Sequence, residues 1–214
     1  MPGKKPNKIR LYRITHRDNL EFIVLNGMYT KHSPNRDPNY IDIGDNSLIA
    51  QRNDYPISIP PNGTLGTYVP FYFGPLSPML FNIKTGYRGI RQRSQSEIIY
   101  IVCEANSIVD ACDKWCFIDG HAKNHITEFF NQLVDLDHVN WDVVRARYWH
   151  NDDDNYDKMR QKQAEFLVKD HVPAKCINAI VVFDSETENI VNLVLQRNGM
   201  NISVYVNPNN NFYY

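Results

Sequence analysis

A polar stretch, residues 30–67, separates two strongly β-forming segments and limits what this chain can fold into. It is rich in Pro, Asn, Asp and Gly, and its one helix-like passage is Asn46–Arg52. A connection that long inside a compact domain is usually functional or disordered. Before it, Ile9–Thr15 alternates as a strand does, and residues 18–27 continue as a short helix. That helix carries apolar residues at Leu20, Ile23 and Val24, with Asn26-Gly27 as its C-cap. After it, Tyr68–Phe73 is an aromatic strand stopped by Gly74-Pro75.

The remaining elements fill in the class. Glu97–Cys103 has strong β composition, and Trp115–Ile118 is a shorter strand. Asn106–Cys112, Ile126–Leu133, Trp141–Tyr148 and Tyr156–Ala164 read as helices. Ile177–Asp184, Ile190–Gln196 and Ile202–Val206 read as strands. Strands at both ends with helices between predict an α+β fold, with a central, mainly antiparallel sheet and flanking helices. No linker divides the 214 residues, so a single domain is expected, and 43% hydrophobic residues suffice for its core.

Several classes drop out. No apolar run reaches the roughly 18 residues of a membrane span. The basic start, Met1–Lys8, leads into no apolar segment, so no secretory signal is read and a cytosolic protein is expected. Nucleotide-binding loops of the G-x-G-x-x-G and G-x-x-x-x-G-K-[ST] kinds are missing, as are G-x-S-x-G and H-E-x-x-H. Cys112, Cys116, His121 and His125 have metal-ligand composition, but their middle spacing is too short for a zinc finger. Trp115 and Phe117 beside the cysteines point to packing, so no metal is expected. A net charge of −1 argues against a uniformly basic nucleic-acid binder. Locally, however, Lys84, Arg88, Arg91 and Arg93 share an acid-free stretch with Gly86 and Gly89. That stretch is either a phosphate-contacting patch or a solvated connection.

Three segments carry possible chemistry. Glu165 is a lone carboxylate where a basic, amide-rich tract passes into the apolar Phe166-Leu167-Val168. On a helix it would share a face with Lys162 and Lys158, an exposed pairing worth about 0–1 kcal/mol. Tyr12-Arg13-Ile14-Thr15-His16 ends a strand, and Ser47–Asn53 carries Arg52, whose fork suits a pyrophosphate or a carboxylate. His16 either faces a ligand at the sheet edge or caps the following helix. Met79 and Phe71 read as core or pocket wall, and Asp152-Asp153-Asp154 as a solvated loop. Together the three segments suggest a dinucleotide pocket with Arg52 and Glu165 at its reactive carbon.

The order of these pieces resembles the DarT-type DNA ADP-ribosyltransferase toxins of toxin–antitoxin systems. Carrying the resemblance are Tyr12, Ile14-Thr15-His16, Asp18-Asn19-Leu20 and Gly27, then Asp37-Pro38-Asn39-Tyr40 with Ile43-Gly44, Gln51-Arg52 and Tyr68–Phe73. Ser77–Leu80, Asp119 with His121, Tyr148-Trp149, Lys162–Val168 and Tyr213-Tyr214 complete it. Arg13 and the basic loop after Lys84 depart from the family pattern.

The resemblance implies an ADP-ribosyltransferase fold that cleaves NAD as co-substrate and transfers ADP-ribose to a thymidine base in single-stranded DNA. It implies NAD contacts from Arg13, Ile14, Thr15, His16, Phe22, Gly44 and Arg52, with residues 35–53 as the NAD-binding element. Residues 121–165 would be the substrate-recognising loop region. Arg52 and Glu165 fall on catalytic positions, with His121 nearby. DNA would lie over Met79, Lys84, Arg88, Arg91, Arg93 and His121. A macrodomain antitoxin that reverses the modification is the implied partner. Other acceptors (guanine in DNA, RNA or protein) or a silent nucleic-acid-binding module are the alternative readings. An oxocarbenium-like ribose favours a nearby carboxylate, and the thymine ring proton requires a base. Glu165 is the better base, because an arginine has a pKa above about 12.

Overall fold

The computed structural model describes residues 3–214, save the side chains of residues 46–49 and of Arg88. Its centre is an eight-stranded sheet. In chain order the strands are β1 (Arg10–His16), β2 (Tyr68–Tyr72), β3 (Ile98–Glu104), β4 (Trp115–Ile118), β5 (Phe129–Phe130), β6 (Glu165–Lys169), β7 (Ile177–Val182) and β8 (Ser203–Val206). Their spatial order is β8-β7-β3-β1-β2-β6-β4-β5. Every pairing is antiparallel except β7 with β8.

The sheet is two half-sheets joined by a weak seam. β1 pairs with β3 from Arg10↔Glu104 to His16↔Ile98, whereas β1 meets β2 only at Tyr12↔Tyr72. Past that point the strands part, and the long polar segment crosses the opening. Asn19 anchors it: its amide nitrogen donates to the Ile41 carbonyl at 2.9 Å and its amide oxygen accepts from the Ile41 N–H at 2.8 Å. The Asn19 side chain and the Ile41 backbone thereby satisfy each other's polar groups. The segment then forms α2 (Asn46–Asn53) and a short ladder of Pro56–Ile57 with Gly63–Thr64.

One face of the sheet buries Leu11, Phe71, Ile99, Phe117 and Phe166 in the main core. That core is covered by α1 (Leu20–Asn26), α4 (Ala105–Ala111) and α7 (Ser185–Arg197), with Trp141 of α5 (Trp141–Arg145) closing its end. On the other face Ile14, Tyr100, Leu80, Ile83 and Tyr213 form a second cluster under α3 (Pro78–Thr85). Each fully buried side chain of this size contributes about 1.5–3 kcal/mol relative to exposure.

Four elements differ from the sequence-based expectation. Ile190–Gln196 is not a strand but the interior of α7. The Asp184 side chain caps that helix by accepting from Thr187 N–H at 2.8 Å, and Val191 and Leu195 bury at helical spacing. Ile126–Leu133 is not a helix; Phe129–Phe130 pairs with β4, because Phe130 can stack on Phe117 there. Trp141–Tyr148 is helical only to Arg145. Tyr156–Ala164 shortens to α6 (Lys158–Gln161), so Glu165 opens β6 rather than continuing a helix. The apolar run after Glu165 pairs on both sides with β2 and β4, and that tertiary pairing overrides helix propensity.

Candidate active site

Glu165 sits where three strand ends meet: it pairs with Tyr72 of β2 on one side and Ile118 of β4 on the other. Only 4% of it is exposed. A buried carboxylate needs a partner, and Arg52 from α2 supplies one. The guanidinium donates through one terminal nitrogen to Oε1 at 3.0 Å and through the other to Oε2 at 2.6 Å. Bidentate geometry of this kind fixes both groups more tightly than a single ion contact. Burial alone would weaken Arg52's charge, but Glu165's charge and hydrogen bonds outweigh it and hold the guanidinium more firmly protonated than usual. Lys162 and Lys158, the partners a helical frame assigns to Glu165, lie elsewhere. The Lys158 ammonium pairs with Asp152 at 2.6 Å. The buried Lys162 amine donates to the carbonyls of Pro75, Val144 and Ala146 at 2.9, 2.8 and 2.7 Å. It thus ties the approach to Glu165 to the end of α5 and to the turn after β2.

Tyr72 stands beside the pair. Burial, followed by Glu165's charge, pushes its phenol well above the ordinary range, so it is a neutral hydroxyl that can donate. Its O–H points to the Met79 sulfur at 3.9 Å, which places Met79 beside Tyr72. His121 follows the end of β4, held by its N–H to the Arg160 carbonyl at 2.9 Å. Burial lowers the imidazole pKa, Arg52 and Lys123 lower it further, and Glu165 opposes them. Lys123 also donates to the Gln51 side-chain oxygen at 2.6 Å, linking this loop to α2 next to Arg52.

The end of β1 closes the other side. Arg13 reaches across the seam to donate to the Pro70 carbonyl at 3.1 Å. Its Nε is buried without an acceptor, an unmet donor at the opening between β1 and β2. Thr15 is locked between the Asn19 amide at 2.9 Å and the Tyr40 hydroxyl at 3.0 Å, so it holds the 35–53 segment in place. Ile14 is buried on the opposite face in the second core cluster. His16 caps the turn that follows, its Nδ1 accepting from Asp18 N–H at 3.2 Å, while Nε2 lies 3.4 Å from Glu97. Phe22 packs edge-on against Tyr29 at 6.2 Å on the first helix. Gly44 follows the buried Ile43 on the crossing segment.

Of the basic stretch, Lys84 and Arg91 are exposed, while the Arg88 side chain lies outside the description. Arg93 is turned inward, donating to Glu97 at 3.1 Å. The cysteine–histidine tract disperses: the Cys116 side chain is buried with Ile118 and Leu167, and Cys112 lies 3.8 Å from the His171 carbonyl. Among the described residues, no group of three or more His, Cys, Asp or Glu is placed to share one metal ion. No helix among them is long and apolar enough to cross a membrane. The structure therefore gathers Arg52, Glu165, His121 and Met79 around Tyr72, with Arg13 and Thr15 at the seam. Sequence reasoning missed Tyr72 as a site residue, although the alternation of Tyr68, Pro70 and Tyr72 places it on the face of Glu165. It missed Lys162's role because its acceptors are backbone carbonyls from distant segments.

Comparison with known proteins agrees with this architecture. Residues 12–214 match the family described as ssDNA thymidine ADP-ribosyltransferase, DarT. A DNA ADP-ribosyl transferase of Escherichia coli O127:H6 is 34% identical over 200 residues, covering 94% of this chain and 92% of that protein. The structure of Thermus sp. 2.9 DarT in complex with ADP-ribosylated ssDNA superposes with a TM-score of 0.89 at 29% identity, covering 100% of both chains. The same protein in complex with NAD+ gives 0.81 at 29% identity, covering 99% of this chain and 100% of that one. The chain belongs to the DarT family.

Proposed function

We propose that this protein is an NAD-dependent ADP-ribosyltransferase that modifies a thymidine base in single-stranded DNA and releases nicotinamide. The observation that carries the reading is the buried, bidentate Arg52–Glu165 pair beside the β1–β2 opening. Its kinship with DNA ADP-ribosyl transferases and with NAD+-bound DarT supports NAD and DNA as the substrates.

The opening suits a dinucleotide chemically. Arg13's unmet Nε would find an acceptor in a phosphate or amide oxygen, and the 35–53 segment, fixed through Asn19 and Thr15, would form one wall. In the reaction the glycosidic bond to nicotinamide breaks, and nicotinamide leaves with the bonding electrons. Glu165 stabilises the cationic ribose that results. A ring nitrogen of thymine forms the new bond to the ribose carbon, and its proton passes to Glu165. Arg52, held charged, serves the pyrophosphate or the developing anion of the base rather than the proton transfer. His121 and Met79 line the acceptor side. As a toxin of this kind, the protein would be countered by a macrodomain partner that removes ADP-ribose from DNA, and it would act in the cytosol.

The test is mass spectrometry of single-stranded oligonucleotides incubated with protein and NAD. One ADP-ribose should be added to thymidine-containing strands and none to strands lacking thymidine. Modification confined to guanine, RNA or protein would remove the thymidine assignment.

A further inference from the structure

Arg10, Arg145 and Arg147 are exposed and come from distant parts of the chain; Arg10 and Arg145 lie close to Tyr12, and Arg147 is tied to the C-terminal segment that packs on Tyr12. Arg10 precedes Tyr12 by two residues on β1 and so shares its face. Arg145, at the end of α5, lies over the Trp141 ring at 5.5 Å, and that ring packs against Phe73, the residue after Tyr72. Arg147 donates to the Asn210 carbonyl at 3.1 Å, and Phe212, two residues on, meets the Tyr12 ring at 5.7 Å. Consistent with this placement, Arg10 and Arg145 both favour the anionic form of the Tyr12 phenol, against the burial that raises its pKa. Tyr12 is in turn the direct cross-strand neighbour of Tyr72. The arginines therefore begin where the reaction pocket ends.

Their charge is available. Among the described residues none of the three is ion-paired. The carboxylate cross-strand from Arg10, Glu104, lies 3.6 Å from Lys8 instead. Asp142, three residues before Arg145, is the one acid on α5 and is exposed. The stretch that the sequence marked as basic is less free, since Arg93 is committed to Glu97.

Resting on the proposed function, we infer that Arg10, Arg145 and Arg147 form the track for the phosphates flanking the target nucleotide, leading single-stranded DNA past Tyr12 to Tyr72. Half-buried Tyr12 and Phe212 supply ring surface beside that track, and the arginine forks supply the counter-charge that a strand displaces ions to reach.

The test measures binding of a thymidine-containing oligonucleotide across a sodium chloride series. Each lost phosphate contact reduces the log–log salt slope by about 0.7 for a single strand. Arg10→Ala/Arg145→Ala/Arg147→Ala should therefore flatten it by about 2, and each single variant by about 0.7. The KM for oligonucleotide should rise while the KM for NAD stays put. A wild-type slope in the triple and single variants overturns the track, as does loss of slope in Lys84→Ala/Arg91→Ala instead. Salt-independent binding by the wild-type protein overturns it too. Salt-dependent binding through the three arginines without any ADP-ribose transfer would leave the track standing and sink the proposed function.

Discussion

Two arginines hold carboxylates on either side of His121, and they are built differently. Arg160 is saturated: Nε and a terminal nitrogen donate to Asp157 at 2.7–2.9 Å, and the other terminal nitrogen donates to Asp119 at 2.9 Å and Thr127 at 3.1 Å. Its two carboxylates come from the loop after β4 and from the residue before α6, so the cluster staples the loop that carries His121. Arg52 has one carboxylate, Glu165, and a quarter of its side chain stays exposed. A saturated cluster can only hold position. A pair with an open side can exchange one partner for a ligand, and chemistry requires that. The contrast separates a fixed staple from a pair with room for a ligand better than burial does, because both arginines are largely enclosed.

The comparison can be broken most sharply at Glu165. Glu165→Gln keeps the shape and an acceptor for Arg52 but removes the charge. Transfer to DNA per folded molecule should fall by about 10²–10³-fold, measured under conditions where the variant remains folded. Retained activity would take Glu165 out of the mechanism. The converse is expected at the staple. Arg160→Met strands two carboxylates and should cost on the order of 3–5 kcal/mol in denaturant unfolding. Activity per folded molecule should change far less; a loss as large as that of Glu165→Gln would erase the distinction between the two clusters.

A third prediction is pH-linked and lies at Lys162. Burial pushes its amine down from 10.5 to about 7. Between those values the unfolded chain binds more protons than the folded one, so stability should rise with pH across that window. Comparing unfolding of the wild type with Lys162→Met at several pH values isolates this contribution. A difference that is flat from pH 7 to 10.5 would mean the amine is not titrating as its burial requires.

Much of the sheet was legible locally. Ile9–Thr15, Tyr68–Phe73, Glu97–Cys103 and Trp115–Ile118 announce themselves by alternation or continuous apolar character, and each is a strand. Ile190–Gln196 was not, because Ile190, Val191 and Val194 read equally as strand or helix until the Asp184 cap is considered. Glu165 was misframed for a related reason. The tract before it favours helix, and only pairing with Tyr72 and Ile118 makes the residue a strand opening.

The sequence by itself determined the pieces: aromatic and β-branched runs that must bury, a polar segment too long to be a mere connection, and an ordered set of blocks that resembles one family. The tertiary structure decided which charges meet. Arg52 and Glu165 are 113 positions apart, and their bidentate contact forms only because the fold brings α2 to the first residue of β6. Spacing along a chain reports such encounters only within a helix or strand. Between segments, the fold alone sets the few ångströms over which a carboxylate and a guanidinium recognise each other.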